Sequence, residues 1–123
     1  MSKHLLKIAL IGNPNTGKTS LFNKLTGLNQ QTGNYPGVTV DRKLGYTQLT
    51  DGQKAAVLDL PGTYSLNASS LDESVVTDLL LNPADKDYPD VIVVVTEVEN
   101  LKRNLLLFTQ IKDLQLPVVL AIN

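Results

Sequence analysis

One stretch limits the fold more than any other: Gly12-Asn13-Pro14-Asn15-Thr16-Gly17-Lys18-Thr19, two glycines five positions apart followed by Lys-Thr. The run Leu5 to Ile11 before it is almost continuously apolar, the pattern of a short strand buried on both faces of a parallel sheet. After it, Leu21, Phe22 and Leu25 fall on one side of a helical period, and Gly27 stands where a left-handed cap would end the helix. Strand, Gly-rich turn and helix in this order match the P-loop spacing G-x-x-x-x-G-K-[ST]. Gly12 and Gly17 let the backbone fold back so that successive N–H groups converge, and the helix start adds the positive end of its dipole. Such a concavity fits a diphosphate. Lys18 would then reach the β and γ phosphates, and the Thr19 hydroxyl would ligate Mg2+. The competing reading, a glycine-rich turn with a surface lysine, is disfavoured by the placement between strand and helix.

The remaining elements follow from periodicity and punctuation. Residues 28–37 (LNQQTGNYPG) carry turn formers and no period, which predicts a long loop. Val38, Val40, Arg42, Leu44, Tyr46 and Gln48 alternate, Asp51-Gly52 offers a turn, and Ala55 to Leu60 is a second apolar run, which together predict an antiparallel hairpin. Ser70 with Glu73 forms a capping box ahead of a helix over about 71–82. Val91 to Val95 reads as a buried strand, Leu101, Leu105, Phe108 and Ile111 as the inner face of a third helix, and Val118 to Ile122 as a last buried strand. The alternation predicts an α/β fold in three layers, a mostly parallel sheet with one antiparallel hairpin and helices on both faces.

With 123 residues, 42% apolar and 19% charged, the chain is expected to form one domain, residues 1–123. A formal charge of −1 supplies no basic field for nucleic acid or an anionic lipid surface. No cysteine and a single His4 leave no thiolate zinc site or iron–sulfur cluster and disfavour transition-metal chemistry in this segment. No apolar run approaches the roughly 20 residues of a membrane helix, and the start shows no cleavage site, so a cytoplasmic location is expected.

Two further elements support the cradle. Asp59 ends an apolar strand in Asp59-Leu60-Pro61-Gly62; if that strand lies beside the first, the carboxylate arrives next to Thr19 and holds Mg2+ through water, while Gly62 offers its N–H to a γ-phosphate. Alone, Asp-x-x-Gly is a common turn. Thr39, in Gly37-Val38-Thr39-Val40, would ligate Mg2+ when a third phosphate draws the loop inward; otherwise it is a β-branched residue at a strand start. Read together, the loops around Thr39 and Gly62 describe a switch that orders on a triphosphate and relaxes after hydrolysis.

These residues resemble the amino-terminal GTPase domain of bacterial ferrous iron transport protein B (FeoB). The likeness rests on GNPNTGKTSLFNKLTG at 12–27, QTGNYPGVTVDRKLG at 31–45, DLPGTYSL at 59–66, SLDESVVTDLLL at 70–81, and NLKRNLLL and LPVVLAIN towards the end. Tyr35 stands where that family usually has Trp. The resemblance implies a Ras-like sheet, GTP hydrolysis to GDP, and a parent protein in the bacterial inner membrane with a helical regulatory domain and an iron permease. This domain would then lie at the cytoplasmic face. Its nucleotide contacts would be Gly12, Asn13, Pro14, Asn15, Thr16, Gly17, Lys18, Thr19 and Ser20, with Gly37, Val38, Thr39, Asp59, Gly62 and Asn123. Thr63 stands where Ras-like enzymes keep a water-orienting Gln, so unaided hydrolysis should be slow. Asn15 looks like the asparagine that helps hold a potassium ion beside the phosphates; a loop-stabilising amide is the alternative. The residues expected to carry catalysis are therefore Asn15, Lys18, Thr39 and Gly62.

Arg42 and Arg103 read as solvated surface charges, and His4 as an edge or surface histidine. Tyr35 and Tyr64 either shield the nucleotide or pack a loop. Guanine selection in this superfamily comes from Asn-Lys-x-Asp, of which Asn123 would be the first residue. The chain as given is therefore expected to lack the last strand and helix, to discriminate guanine poorly, and to self-associate through the apolar edge of Val118 to Ile122. Three rival functions remain at this point: an adenine-specific P-loop ATPase, a GTPase of ribosome assembly or tRNA modification, and a nucleotide-sensing interaction module with negligible turnover.

Overall fold

In a computed structural model, which describes residues 5–13, 17–63, 66 and 70–122, the apolar run ahead of the glycines forms strand β1, Leu6–Ile11. Its alternation sends Ala9 and Ile11 to one face and Ile8 and Leu10 to the other, and both faces are covered. Helix α1 (Lys18–Thr26) covers the second face, where Phe22 packs with Leu10 and Val57. Strands β2 (Gln30–Asn34), β3 (Asp41–Gln48) and β4 (Lys54–Asp59) follow, then helix α2 (Leu71–Leu80). Strand β5 (Val91–Thr96), a 3-10 turn over Val98–Asn100, helix α3 (Leu101–Asp113) and strand β6 (Val118–Ile122) complete the order. Val76, Leu79 and Leu80 of α2 and Leu107 and Ile111 of α3 close the first face over Ala9, Ile11, Leu58, Ile92 and Val94.

The sheet runs β2-β3-β4-β1-β5-β6. β1 pairs in parallel with β4 and β5, and β5 with β6, whereas β2-β3-β4 is an antiparallel ladder. The hairpin and the parallel neighbours of β1 are as expected from the sequence. Its five strands become six, because the loop expected over 28–37 contains β2. Gln30↔Gly45 through Asn34↔Asp41 are paired, yet QQTGN shows no apolar alternation. As an edge strand largely open to solvent, β2 takes its geometry from the backbone of β3, so no hydrophobic pattern marks it. β3 starts at Asp41, not Val38, because Tyr35 N–H bonds to the Val40 carbonyl (3.0 Å) and folds 35–40 into a loop.

Ser70 caps α2 through its hydroxyl, which accepts from Glu73 N–H at 3.1 Å. Two helix faces are rotated from expectation. α1 buries Lys18, Phe22 and Thr26 and leaves Leu25 exposed; α3 buries Asn104, Leu107 and Ile111 and leaves Leu105 exposed. In α1 the rotation follows from Gly45 in β3: a Cβ there would stand 2.6 Å from Thr26 Cβ, so only glycine lets the helix seat Thr26 against the sheet. Gly27 ends α1 with φ 56° and ψ −123°, a positive φ outside the expected left-handed helical region. β6, expected to be buried, is an edge strand with Val119 and Ile122 exposed.

Candidate nucleotide-binding site

The carboxyl ends of β1 and β4 lie side by side, with Leu10 in register with Asp59. The segment leaving β4 is tied to the segment leaving β1: Leu60 N–H donates to the Leu10 carbonyl (3.1 Å) and Thr63 N–H to the Gly12 carbonyl (2.8 Å). Alternation in β4 puts Asp59 on the α1 side of the sheet, with Val57, and there it meets the first turn of α1. Lys18 Nζ forms an ion pair with Asp59 Oδ1, and the Thr19 hydroxyl donates to Asp59 Oδ2 at 3.3 Å. Both side chains of the ion pair are buried.

Gly17 enters α1 with φ 85°, a left-handed conformation suited to glycine. Among the described residues no side chain caps that N-terminus, and its first turn holds no acid. The helix start therefore presents N–H groups and positive dipole to the cleft with no acid of its own first turn to cap them. In front of it lies a cavity of about 310 Å3 whose walls include Lys18, Thr19, Thr39, Asp59, Gly62 and Asp72. A second space of about 450 Å3 shares Lys18, Thr19, Gly62 and Asp72 and adds Asn13, Gly17 and Ser20, so the two form one cleft along the cradle.

Most of the residues singled out from the sequence thus meet on one cleft. Gly12 is buried and does not line the cleft, and Gly37 and Val38 lie off the cavity wall that Thr39 joins. Pro14, Asn15, Thr16, Asn123, Tyr64 and His4 lie outside the described residues. Thr63 is buried and its hydroxyl is 3.2 Å from Glu73 Oε2.

Asp41, Lys43 and Asp72 also line the cleft and were not picked out. The signal for Lys43 was available: the hairpin puts it opposite Asp59, and alternation sets it on the face that Arg42 avoids. Arg42 corrects another expectation. It is no solvated charge: Nε and Nη2 make paired 2.7 Å bonds to Asp87, and the bond to that carboxylate raises the guanidinium pKa. Arg103 does lie on an exposed face of α3. Tyr35 packs against the α2–α3 core and is absent from the cleft wall. Burial, then the charge of Asp87, push its phenol above the usual tyrosine range.

A strand–glycine turn–helix cradle, an aspartate at the end of the neighbouring strand and a threonine-bearing loop over the same cleft define a P-loop nucleotide-binding domain with a mixed sheet. The family model for ferrous iron transport protein B matches residues 6–123, and the chain belongs to that family, corresponding to its G domain.

It is 45% identical over 120 residues to the Fe(2+) transport protein A/Fe(2+) transporter FeoB fusion protein of Porphyromonas gingivalis, covering 98% of this chain and 14% of that protein. To the Fe(2+) transporter FeoB of Escherichia coli K12 it is 46% identical over 122 residues, covering 96% of this chain and 15% of that protein. The chain thus spans about one-seventh of these relatives' length. Among solved structures, the G domain of the T. maritima FeoB iron transporter superposes with a TM-score of 0.86 at 42% identity, over 97% of this chain and 72% of that one. A GDP-bound mutant of S. thermophilus NFeoB gives 0.85 at 46% identity, over 97% and 44%. Among the described residues, no helix is long and apolar enough to cross a membrane, and no cluster of three or more His, Cys, Asp or Glu is placed to hold a metal ion.

Proposed function

We propose that this chain is a guanine-nucleotide-binding, GTP-hydrolysing switch that regulates ferrous iron transport by a longer, membrane-embedded parent protein from the cytoplasmic face of the bacterial inner membrane. The observation that carries this is the convergence of Lys18, Thr19, Thr39, Asp59 and Gly62 on one cleft at the strand ends. Family membership and the GDP bound in a relative support guanine as the base. The helical domain and permease of the parent are the proposed partners, with iron passing elsewhere.

The donor set fits Mg2+: the two hydroxyls of Thr19 and Thr39 and the carboxylate of Asp59 are hard oxygen donors on one cavity. Thr19 and Thr39 would hold the ion directly and Asp59 through water, and the ion would supply positive charge beside the phosphates. Nucleotide binding is then an exchange of partners. Lys18 leaves Asp59 for the β and γ phosphates, and neither buried charge goes without an opposite. The backbone amides of Gly17 to Ser20 at the helix start and that of Gly62 would orient the phosphates, and the loop of Gly37, Val38 and Thr39 would close over the third. Water adds across the β–γ anhydride to give GDP and inorganic phosphate.

No amide side chain stands at position 63, and Thr63 is turned towards Glu73, so the chain supplies no water-orienting group there. This favours slow turnover, with Asn15 helping to hold a potassium ion as the extra positive charge. The same observation favours a second reading, a nucleotide-sensing module with negligible turnover.

Titration of GTP, GDP and ATP with Mg2+, on this chain and on a longer one carrying the residues that follow Asn123, tests the proposal. Guanine nucleotides should bind in preference to ATP in the longer chain, and Lys18→Ala should abolish binding in both. Equal binding of ATP in the longer chain would refute guanine selection. Single-turnover hydrolysis should run faster in potassium than in sodium, a difference lost in Asn15→Ala; no turnover in either salt would select the second reading.

A further inference from the structure

Thr39 is carried by a segment whose two ends lie on the opposite face of the sheet from the phosphates. Tyr35, before it, packs against the α2–α3 core, and so does Leu44, which shares the face of Arg42. The segment is a closed loop: Tyr35 N–H bonds to the Val40 carbonyl (3.0 Å) and Val38 N–H to the Tyr35 carbonyl (3.2 Å). Its far end is pinned by Arg42, whose fork meets Asp87 in two 2.7 Å bonds across 45 residues of sequence. Both side chains are largely withdrawn from solvent, at 18% and 12% exposure, so this pair is screened less than a surface ion pair. Asp87 is also the charge that acts most on the Tyr35 phenol.

Asp87 is itself tied to β1 through its neighbours. Its N–H donates to Asp85 Oδ1 at 2.9 Å, and Lys7 Nζ donates to the neighbouring Lys86 carbonyl at 2.8 Å. Lys7 N–H donates to Asp90 Oδ2 (2.9 Å) and Asp90 N–H to the Lys7 carbonyl (2.8 Å). Lys7 belongs to β1, the strand that runs directly into the cradle. The loop over the third phosphate and the cradle beneath it are thus referred to the same strand.

We propose that Asp87, acting through Arg42, is a positioning residue for Thr39: it sets the reach of the 35–40 loop relative to the phosphate cradle, and so the preference for a triphosphate over a diphosphate. The inference rests on the cleft being a GTP site. It concerns the third phosphate alone, since GDP makes no demand on Thr39.

The test compares this chain with Asp87→Ala and with the charge-swapped double variant Arg42→Asp, Asp87→Arg. In Asp87→Ala a non-hydrolysable GTP analogue should bind about tenfold more weakly, with GDP within about twofold of wild type, the scale of one lost charge-assisted contact. The swap should restore most of the preference. Hydrogen exchange on the nucleotide-free chain should show the Tyr35 and Val38 amides losing protection in Asp87→Ala, with β1 and β5 unchanged. A general loss of structure would expose all of these amides together and would overturn the proposal. So would a wild-type ratio of GTP analogue to GDP affinity in Asp87→Ala. A wild-type chain that binds neither nucleotide would overturn the reading of the cleft, and the proposal with it.

Discussion

Lys18 and Asp59 show how a single pair of residues can serve both stability and binding. Removing one member of a buried ion pair strands the other charge, which typically costs about 3–5 kcal/mol, whereas replacing both with apolar groups is often neutral. Lys18→Met should therefore lower the unfolding free energy of the nucleotide-free chain by about 3 kcal/mol, and adding Asp59→Leu should recover most of the loss. Urea unfolding of the two single variants and the double variant checks this; strictly additive losses would mean that the pair contributes no coupling. Tyr35 presents the opposite case, a hydroxyl that is buried and makes no hydrogen bond among the described residues. Tyr35→Phe should stabilise the chain by about 1 kcal/mol at neutral pH, the lower end of the cost of an unsatisfied buried donor. Because the folded phenol titrates above its unfolded value near 10, the native state holds its proton where the unfolded chain has lost it. The contribution is thus complete below about pH 10 and falls as pH rises beyond it. The stability advantage of Tyr35→Phe should widen from pH 9 to pH 11 in denaturant titrations; a constant gap would contradict this assignment of the phenol.

At the scale of elements, α1 does two tasks: its first turn forms part of the cradle, and its last turn locks onto the hairpin. The lock is Thr26 over Gly45, with Thr26 Oγ1 donating to the Phe22 carbonyl (2.8 Å) and accepting from Gln30 Nε2 (3.0 Å). Gly45→Ala has no free volume to enter, so it should cost about 1–3 kcal/mol, the usual range for overpacking. Thr26→Ala combined with it should relieve part of that cost, and thermal unfolding of the two variants measures it; equal stability of Gly45→Ala and wild type would show that α1 moves freely. The same element shows why some of the structure could be read from the sequence and some could not. The cradle, the hairpin, the Ser70 cap and the position of Asp59 next to α1 follow from short-range chemistry: turn glycines, alternation, a capping hydroxyl, and a strand end beside a strand end. The face of α1 does not, because the partner that turns Thr26 inward and Leu25 outward is a glycine nineteen residues further on. β2 has no signal of its own in the sequence, because a polar edge strand gains its order from its neighbour. The pairing of Arg42 is equally silent, because its partner, Asp87, lies in a connection that no local pattern brings near.

Among the described residues the sheet ends in two unlike edges, and at the scale of the molecule the difference bears on how copies of these 123 residues should meet. β2 is short and polar, with sequence QQTGN, whereas β6 is VVLAI, with Val119 54% and Ile122 55% exposed. An apolar edge without charge, proline or bulge is a template for pairing, since its free N–H and C=O groups and its side chains are satisfied together by a second strand. β6 is the outer parallel neighbour of β5, so an incoming strand meets a regular ladder and no irregular rim. The 123-residue chain should therefore associate through β6 in a concentration-dependent way. Light scattering across a dilution series should show the mass rising with concentration, and Val119→Lys should return the chain to monomer without changing nucleotide affinity, because Val119 lies outside the cleft. Mass that stays monomeric at every concentration would refute the edge as an association site. Association that persists in Val119→Lys would move the contact to another surface, with the exposed Leu105 and Leu106 on α3 the next to test.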